Sequence, residues 1–166
     1  MEQIRSYFLS LGSNIAPERH LVEAIRRLRE FGEVSDISSA WQSHAVGSDG
    51  PDFLNVCVRF ATPLTAADVK RSVVHAIESG LGRKRTGDKY APRTIDIDIV
   101  MDAGGAQNLE LWKHAFVVLP MSELLPDATH PLTGRRLAVE AENMGASTWI
   151  RRRPDVMKDR GGDRVD

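Results

Sequence analysis

The most constraining stretch of this chain is Thr94-Ile95-Asp96-Ile97-Asp98-Ile99, where apolar and acidic residues alternate without a break. A period of two belongs to an extended strand, whose successive side chains point to opposite faces. A strand over 94–101 buries Ile95, Ile97 and Ile99 on one side and presents Asp96 and Asp98 together on the other. The plain alternative is an amphipathic strand with a solvated acidic face. Asp is depleted from strands, however, and two like charges in register repel, so the pair asks for a compensating cation. Hard carboxylate oxygens suit Mg²⁺, which commonly takes one or two carboxylates and fills its remaining positions with phosphate oxygens and water.

The segment leading into this strand is strongly basic. Arg83, Lys84, Arg85, Lys89 and Arg93 fall within 83–93, opposed by Asp88 alone. Arginine forks match phosphate oxygens bidentately, so cations beside a carboxylate pair point to a polyphosphate between guanidinium groups and magnesium; the alternative is a solvated basic loop. Gly82, Gly87 and Ala91 would let such a loop close over substrate. No GxxxxGK[ST] pattern occurs, which argues against the P-loop classes. His75 and Glu78 lie three apart on one helical face, either as ligand contacts or as a surface pair. Asn55 stands where a central strand should be apolar, and its amide can read both donor and acceptor edges of a heterocycle, unless it merely ends a ladder.

The remaining pattern is that of an α+β domain. Tyr7–Leu11 reads as a buried first strand, Pro17 opens a helix with an apolar stripe through Leu21, Ala24, Ile25, Leu28 and Phe31, and Gly32 ends it. Val34–Trp41 and Phe53–Phe60 form a hairpin around Gly47-Ser48-Asp49-Gly50-Pro51. Thr65 caps a second helix that stops at Gly80 and Gly82, and 94–101 is the fourth strand. Phe116–Leu119 is expected as a fifth strand, Pro120 onward as a short helix, and Thr133-Gly134 as a turn. The order strand, helix, strand, strand, helix, strand fits a split βαβ, ferredoxin-like arrangement with helices packed on a mainly antiparallel sheet. One domain over 1–150 is expected, with a flexible tail over 151–166.

Composition is that of a folded soluble domain, with 42% apolar and 27% charged residues among 166. The net charge of −1 and 6% aromatic content argue against a nucleic-acid-binding module. The single Cys57 lies in an apolar run and is expected as a buried thiol in a reducing compartment. Neither a leader nor an apolar run of membrane-spanning length is seen, so a cytoplasmic protein is expected. Trp41, Trp112 and Trp149 are expected to serve packing.

Three motifs in order, Leu9-Ser10-Leu11-Gly12-Ser13-Asn14, Gly50-Pro51-Asp52-Phe53-Leu54-Asn55 and Ala91-Pro92-Arg93-Thr94-Ile95-Asp96-Ile97-Asp98, resemble 6-hydroxymethyl-7,8-dihydropterin pyrophosphokinases of folate biosynthesis. The resemblance spans about residues 5–140. It implies a ferredoxin-like αβα sandwich, ATP as co-substrate, two Mg²⁺ ions, and transfer of the β,γ-diphosphate to the pterin hydroxymethyl group with release of AMP. A monomer acting on small molecules, with neither nucleic acid nor membrane as partner, is expected. It makes Asp96 and Asp98 the metal ligands and Arg83 and Arg93 the phosphate-facing cations. Gly12, Ser43, Val46, Phe53, Asn55 and Phe116 would form the pterin pocket, and His75, Glu78, Arg85, Tyr90 and His114 would lie near the nucleotide. Leu111-Trp112-Lys113-His114-Ala115-Phe116 lacks the Pro-His step and Arg usual in the family, and Gln42–Gly47 lacks its prolines. A diverged relative that binds or acts on another pterin, with or without ATP turnover, is the alternative.

Overall fold

The computed structural model describes residues 3–83 and 92–157. Among these residues the centre is an antiparallel sheet of seven strands: β1 (Arg5–Ser13), β2 (Glu33–Ile37), β3 (Ala40–Ser43), β4 (Phe53–Thr62), β5 (Asp96–Asp102), β6 (Gly105–Ala106) and β7 (Ile150–Arg153). The strands run in the order β6-β5-β1-β4-β3-β7, with β2 also paired to β4. β1 is enclosed between β4 and β5, and its alternation assigns the faces. Leu9 and Leu11 point to one side, where they join Val56, Val58 and Ile97 in a core completed by α1 (Pro17–Leu28) and by the helical stretch 66–80. Ser10 and Gly12 point to the other side, where Cys57 and Val100 pack against Trp112 and the helices α4 (Ala115–Leu124) and α5 (Leu137–Ser147). Helices thus cover both faces of one antiparallel sheet, the expected ferredoxin-like α+β sandwich. Among the described residues, no helix is long and apolar enough to cross a membrane.

The stretch 66–80 is a continuous helix of changing pitch: α2 (Ala66–Asp68), a π-helical segment Val69–Val74, and α3 (His75–Gly80). Thr65 caps it, its hydroxyl accepting from the Asp68 N–H at 3.2 Å. Its end is a Schellman turn. Gly82 sits at φ 83°, the Gly82 N–H donates to the Ser79 carbonyl, and the Arg83 N–H reaches back to the Glu78 carbonyl, both at 3.0 Å.

Several expectations need correction. The strand anticipated over 34–41 is two strands, because Ser38 breaks the ladder: its hydroxyl takes the Cys57 N–H and donates to the Ser39 carbonyl. Helix α1 stops at Leu28 rather than Phe31, which is half-exposed. Gly32 does not cap it. A Cβ there would stand 2.3 Å from the Ala61 carbonyl, so the glycine permits the chain to pass against β4. Residues 116–119 are not a strand but the first turns of α4, which contains Pro120 in its interior. That segment is buried between sheet and α5, and a short apolar run enclosed on all sides lacks the periodicity that tells helix from strand. The tail expected from 151 is also displaced. Ile150–Arg153 pairs with β3, and Val156 and Met157 are buried. The arginines gave no apolar pattern because this strand lies at the sheet edge, where charged side chains suit solvent and discourage edge pairing.

Candidate active site

Register across three strands assembles the site. Gly12 of β1 faces Asp96 of β5 on one side and Asn55 of β4 on the other; two residues back, Ser10 faces Asp98 and Cys57. Ser43 of β3 pairs with Phe53. All of these point to the α4 side of the sheet, beyond the end of that helix, where a pocket of about 770 Å³ including its open mouth remains. Its walls bring together Gly12, Ser43, Val46, Phe53, Asn55, Arg93, Asp96, Asp98 and Phe116, and add Ser10, which lies in the first motif without a role expected of it, and His44 and Leu111, which were not expected as site residues.

The two aspartates differ. Asp96 is held by Arg83 at 2.9 Å and Arg93 at 3.1 Å. Arg83 also pairs at 2.9 Å with Glu78, which is buried and whose second role is to accept the Ile97 N–H at 3.0 Å. Glu78 is therefore packed behind the arginine, on the opposite face of β5, rather than offered to a ligand. Among the described residues, Asp98 has no such cation partner. Burial first, then the negative charges of Asp96 and Glu78, push its carboxyl up to about 7, with Arg83 and Arg93 opposing. Among the described residues no three acidic, His or Cys side chains cluster as a complete metal cage. A bound Mg²⁺ fits the pair on those terms. It would supply the positive charge Asp98 lacks and keep positions for phosphate and water.

Asn55 and Ser43 are buried, and Asn55 Oδ1 and Ser43 Oγ have no hydrogen-bond partner among the described residues. Two polar atoms left unpaired in one pocket wall suit a polar ligand, since an unpaired buried acceptor is otherwise costly. Gly12 makes the amide's position possible: a Cβ there would lie 2.5 Å from Asn55 Nδ2. Phe53 and Phe116 supply the apolar walls. Asn14, which closes the first motif, acquires a role here. Its Oδ1 accepts the Arg93 N–H at 2.8 Å and its Nδ2 donates to the Pro51 carbonyl at 3.3 Å, tying together the two loops that flank the pocket.

A second groove, of about 740 Å³, lies across β5 between Lys70, Val74, Ile97, Ile99 and Asn108, and Asp98 lines both. His75 is exposed on α3 beside it and is not part of its lining. His114 stacks on Phe116 with centroids 4.8 Å apart, supporting the pocket wall from outside. Arg85 and Tyr90, with the proposed closing loop, lie outside the described residues. Cys57 is a buried thiol pushed up to about 12 by desolvation, as expected from its apolar surroundings.

The family model for 7,8-dihydro-6-hydroxymethylpterin-pyrophosphokinase (HPPK) matches residues 8–126. The chain belongs to that family. HPPK relatives include the 2-amino-4-hydroxy-6-hydroxymethyldihydropteridine pyrophosphokinase of Synechocystis, 31% identical over 149 residues that cover 82% of this chain and 74% of the relative. The Aquifex aeolicus protein of the same name is 32% identical over 135 residues, covering 75% of this chain and 83% of its own. The crystal structure of Plasmodium falciparum HPPK-DHPS shares the fold, with a TM-score of 0.67 at 10% identity, covering 86% of this chain. This chain spans 46% of that longer one. The HPPK match stops at 126, so α5 and β7 lie beyond it.

Proposed function

We propose that this chain transfers pyrophosphate from ATP to the hydroxymethyl group of 6-hydroxymethyl-7,8-dihydropterin in folate biosynthesis. The observation that carries the reading is the position of Asp96 and Asp98: they face a pocket with unpaired polar atoms and aromatic walls, while Asp98 also faces the second groove. The pterin occupies the first, with Asn55 and Ser43 on its polar edge. The nucleotide lies toward the second, its phosphates at the aspartates.

The pterin hydroxymethyl oxygen attacks the β-phosphorus, the bond from that phosphorus to the α,β-bridging oxygen breaks, AMP departs, and the hydroxyl proton passes to solvent. Two magnesium ions held by Asp96 and Asp98 would neutralise phosphate charge and align it. Arg93 and Arg83, oriented by Asp96 and Glu78, offset charge growing on the transferred group and on AMP. Asn14 keeps the Arg93 segment in place, and the pocket holds the hydroxymethyl carbon against the phosphate; positioning and electrostatics carry the acceleration.

Incubation with ATP, Mg²⁺ and the dihydropterin should yield AMP and not ADP, and Asp96→Asn or Asp98→Ala should stop AMP formation while leaving the fold intact. Wild-type-like turnover in either variant would remove the central assignment. One observation favours a second reading, a relative that binds a pterin without ATP turnover: no residue of the 109–114 segment lines the second groove, toward which the nucleotide would lie. Calorimetry showing pterin binding but no magnesium-dependent ATP binding would establish it.

A further inference from the structure

The strand that follows the HPPK match reaches back to the substrate pocket. Strand β7 pairs with β3 so that Ile150 faces Ser43 and Arg151 faces Gln42. One step beyond that ladder, the Trp149 indole lies flat on the His44 imidazole, centroids 4.2 Å apart and planes 8° from parallel. His44 begins the loop that connects β3 to β4 and lines the pterin pocket, as do Ser43 before it and Val46 within it. The other edge of the ring is fixed too, His44 Nδ1 lying 2.9 Å from Asp52 Oδ1 at the far end of the same loop. Asp52 in turn accepts from Gln42 Nε2 at 2.8 Å, and Gln42 Oε1 accepts from Arg153 Nη1 at 3.0 Å. Both ends of the loop are thus joined to β7, by a ring stack at one point and by a polar chain at the other.

What lies between needs holding. The loop turns at Gly47 with φ 79°. Its apolar Val46 is 52% exposed at the pocket wall, open to contact with a ligand. A surface loop of this kind has little burial of its own, so its position depends on whatever anchors it.

We infer that Trp149 is a positioning residue for substrate: by stacking on His44 it holds the 43–47 segment against the pterin pocket and thereby sets affinity for the pterin. The inference rests on the proposed pterin reading for its substrate, though not for the clamp itself. The stack orders the loop before the pterin arrives, so its loss falls on pterin binding, while the aspartates and arginines that carry the transfer stay where they are.

The test compares wild type, Trp149→Ala, Trp149→Phe and His44→Gln, reading backbone amide exchange over 43–52 together with KM for the dihydropterin and kcat for AMP formation. Trp149→Ala should speed exchange at 44–47 and raise KM about three- to tenfold with kcat within about twofold, the range a single aromatic stack commands. Trp149→Phe, which keeps a ring on His44, should restore both. His44→Gln removes the stack from the other partner while leaving the β3–β7 ladder intact, and should speed exchange at 44–47 even where Trp149→Ala fails to fold; because His44 itself lines the pocket, KM is read from the Trp149 variants. Unchanged exchange in Trp149→Ala and His44→Gln would overturn the clamp. Faster exchange with unchanged KM would overturn its role in substrate affinity. Absence of AMP from the wild type would instead overturn the transfer reading, and the exchange comparison would still decide the clamp.

Discussion

Asp98 is where stability and the proposed chemistry oppose each other. Its carboxyl is raised from the ordinary 3.8 to about 7 by burial and by its acidic neighbours. The folded state therefore holds this proton more tightly than the unfolded chain. The stability it contributes is complete below pH about 4 and is lost as pH rises from there through 7, leaving a buried charge that Arg83 and Arg93 offset only in part in the metal-free protein at pH 8. A rise of that size, reduced for the solvent that enters the open pocket, corresponds to a penalty on the order of 3 kcal/mol. Asp98→Asn should consequently raise the metal-free melting temperature at pH 8 and leave it nearly unchanged at pH 4, while abolishing AMP formation; paired melting curves with chelator at the two pH values read this directly. Gly12 sets a second residue-scale expectation. The Cβ of Gly12→Ala would displace the Asn55 amide, so KM for the pterin should rise at least about tenfold with the melting temperature little altered, because the disturbance falls on a side chain in an open pocket.

At the scale of elements, delivery of Arg83 depends on the turn that ends α3. Gly82 alone has the left-handed φ there, and no neighbouring atom comes within 4 Å of a Cβ built on it, so the demand is conformational and not steric. Gly82→Ala should cost about 1 kcal/mol in urea unfolding and lower kcat by displacing Arg83 from Asp96, whereas Gly82→Asn should recover part of both, since Asn enters that region more readily. The turn was legible only in outline, since Gly80 and Gly82 announce an ending but not which side chain it aims. The strand carrying Asp96 and Asp98 was legible in its conformation and in the shared face of the two aspartates, because alternation states both, but not in its bounds, which are Asp96–Asp102 rather than 94–101, nor in the register shift against β1. Two kinds of information were out of reach. The buried run from Ala115 to Met121 had no periodicity to read, and the contacts of Asn14 with Arg93, Glu78 with Ile97 and Trp149 with His44 span 79, 19 and 105 residues of the chain, set by packing rather than by spacing.

The whole molecule opens the pocket lined by Asn55 and Phe116 on one face of a sheet whose two faces are separately packed. Leu21 of α1 is buried in the core on the Leu9 and Leu11 side, and Met121 of α4 in the core on the Cys57 side. β1 and β4 contribute to both, so the two cores should melt together even though they share no helix. Leu21→Ala and Met121→Ala should each lower stability by about 2–4 kcal/mol, with fluorescence and circular dichroism giving one coincident transition in both variants. Their effects on substrate should differ. Helix α4 carries Phe116 to the proposed pterin pocket, so the space left by Met121→Ala loosens that wall and should raise KM for the pterin severalfold under conditions where the protein stays folded. Leu21 supports the reverse face, remote from the aromatic wall, and Leu21→Ala should leave KM within about twofold of wild type. Equal effects on KM would mean that the sheet transmits strain between its faces, and that the pocket is a property of the sandwich as a whole rather than of the α4 side.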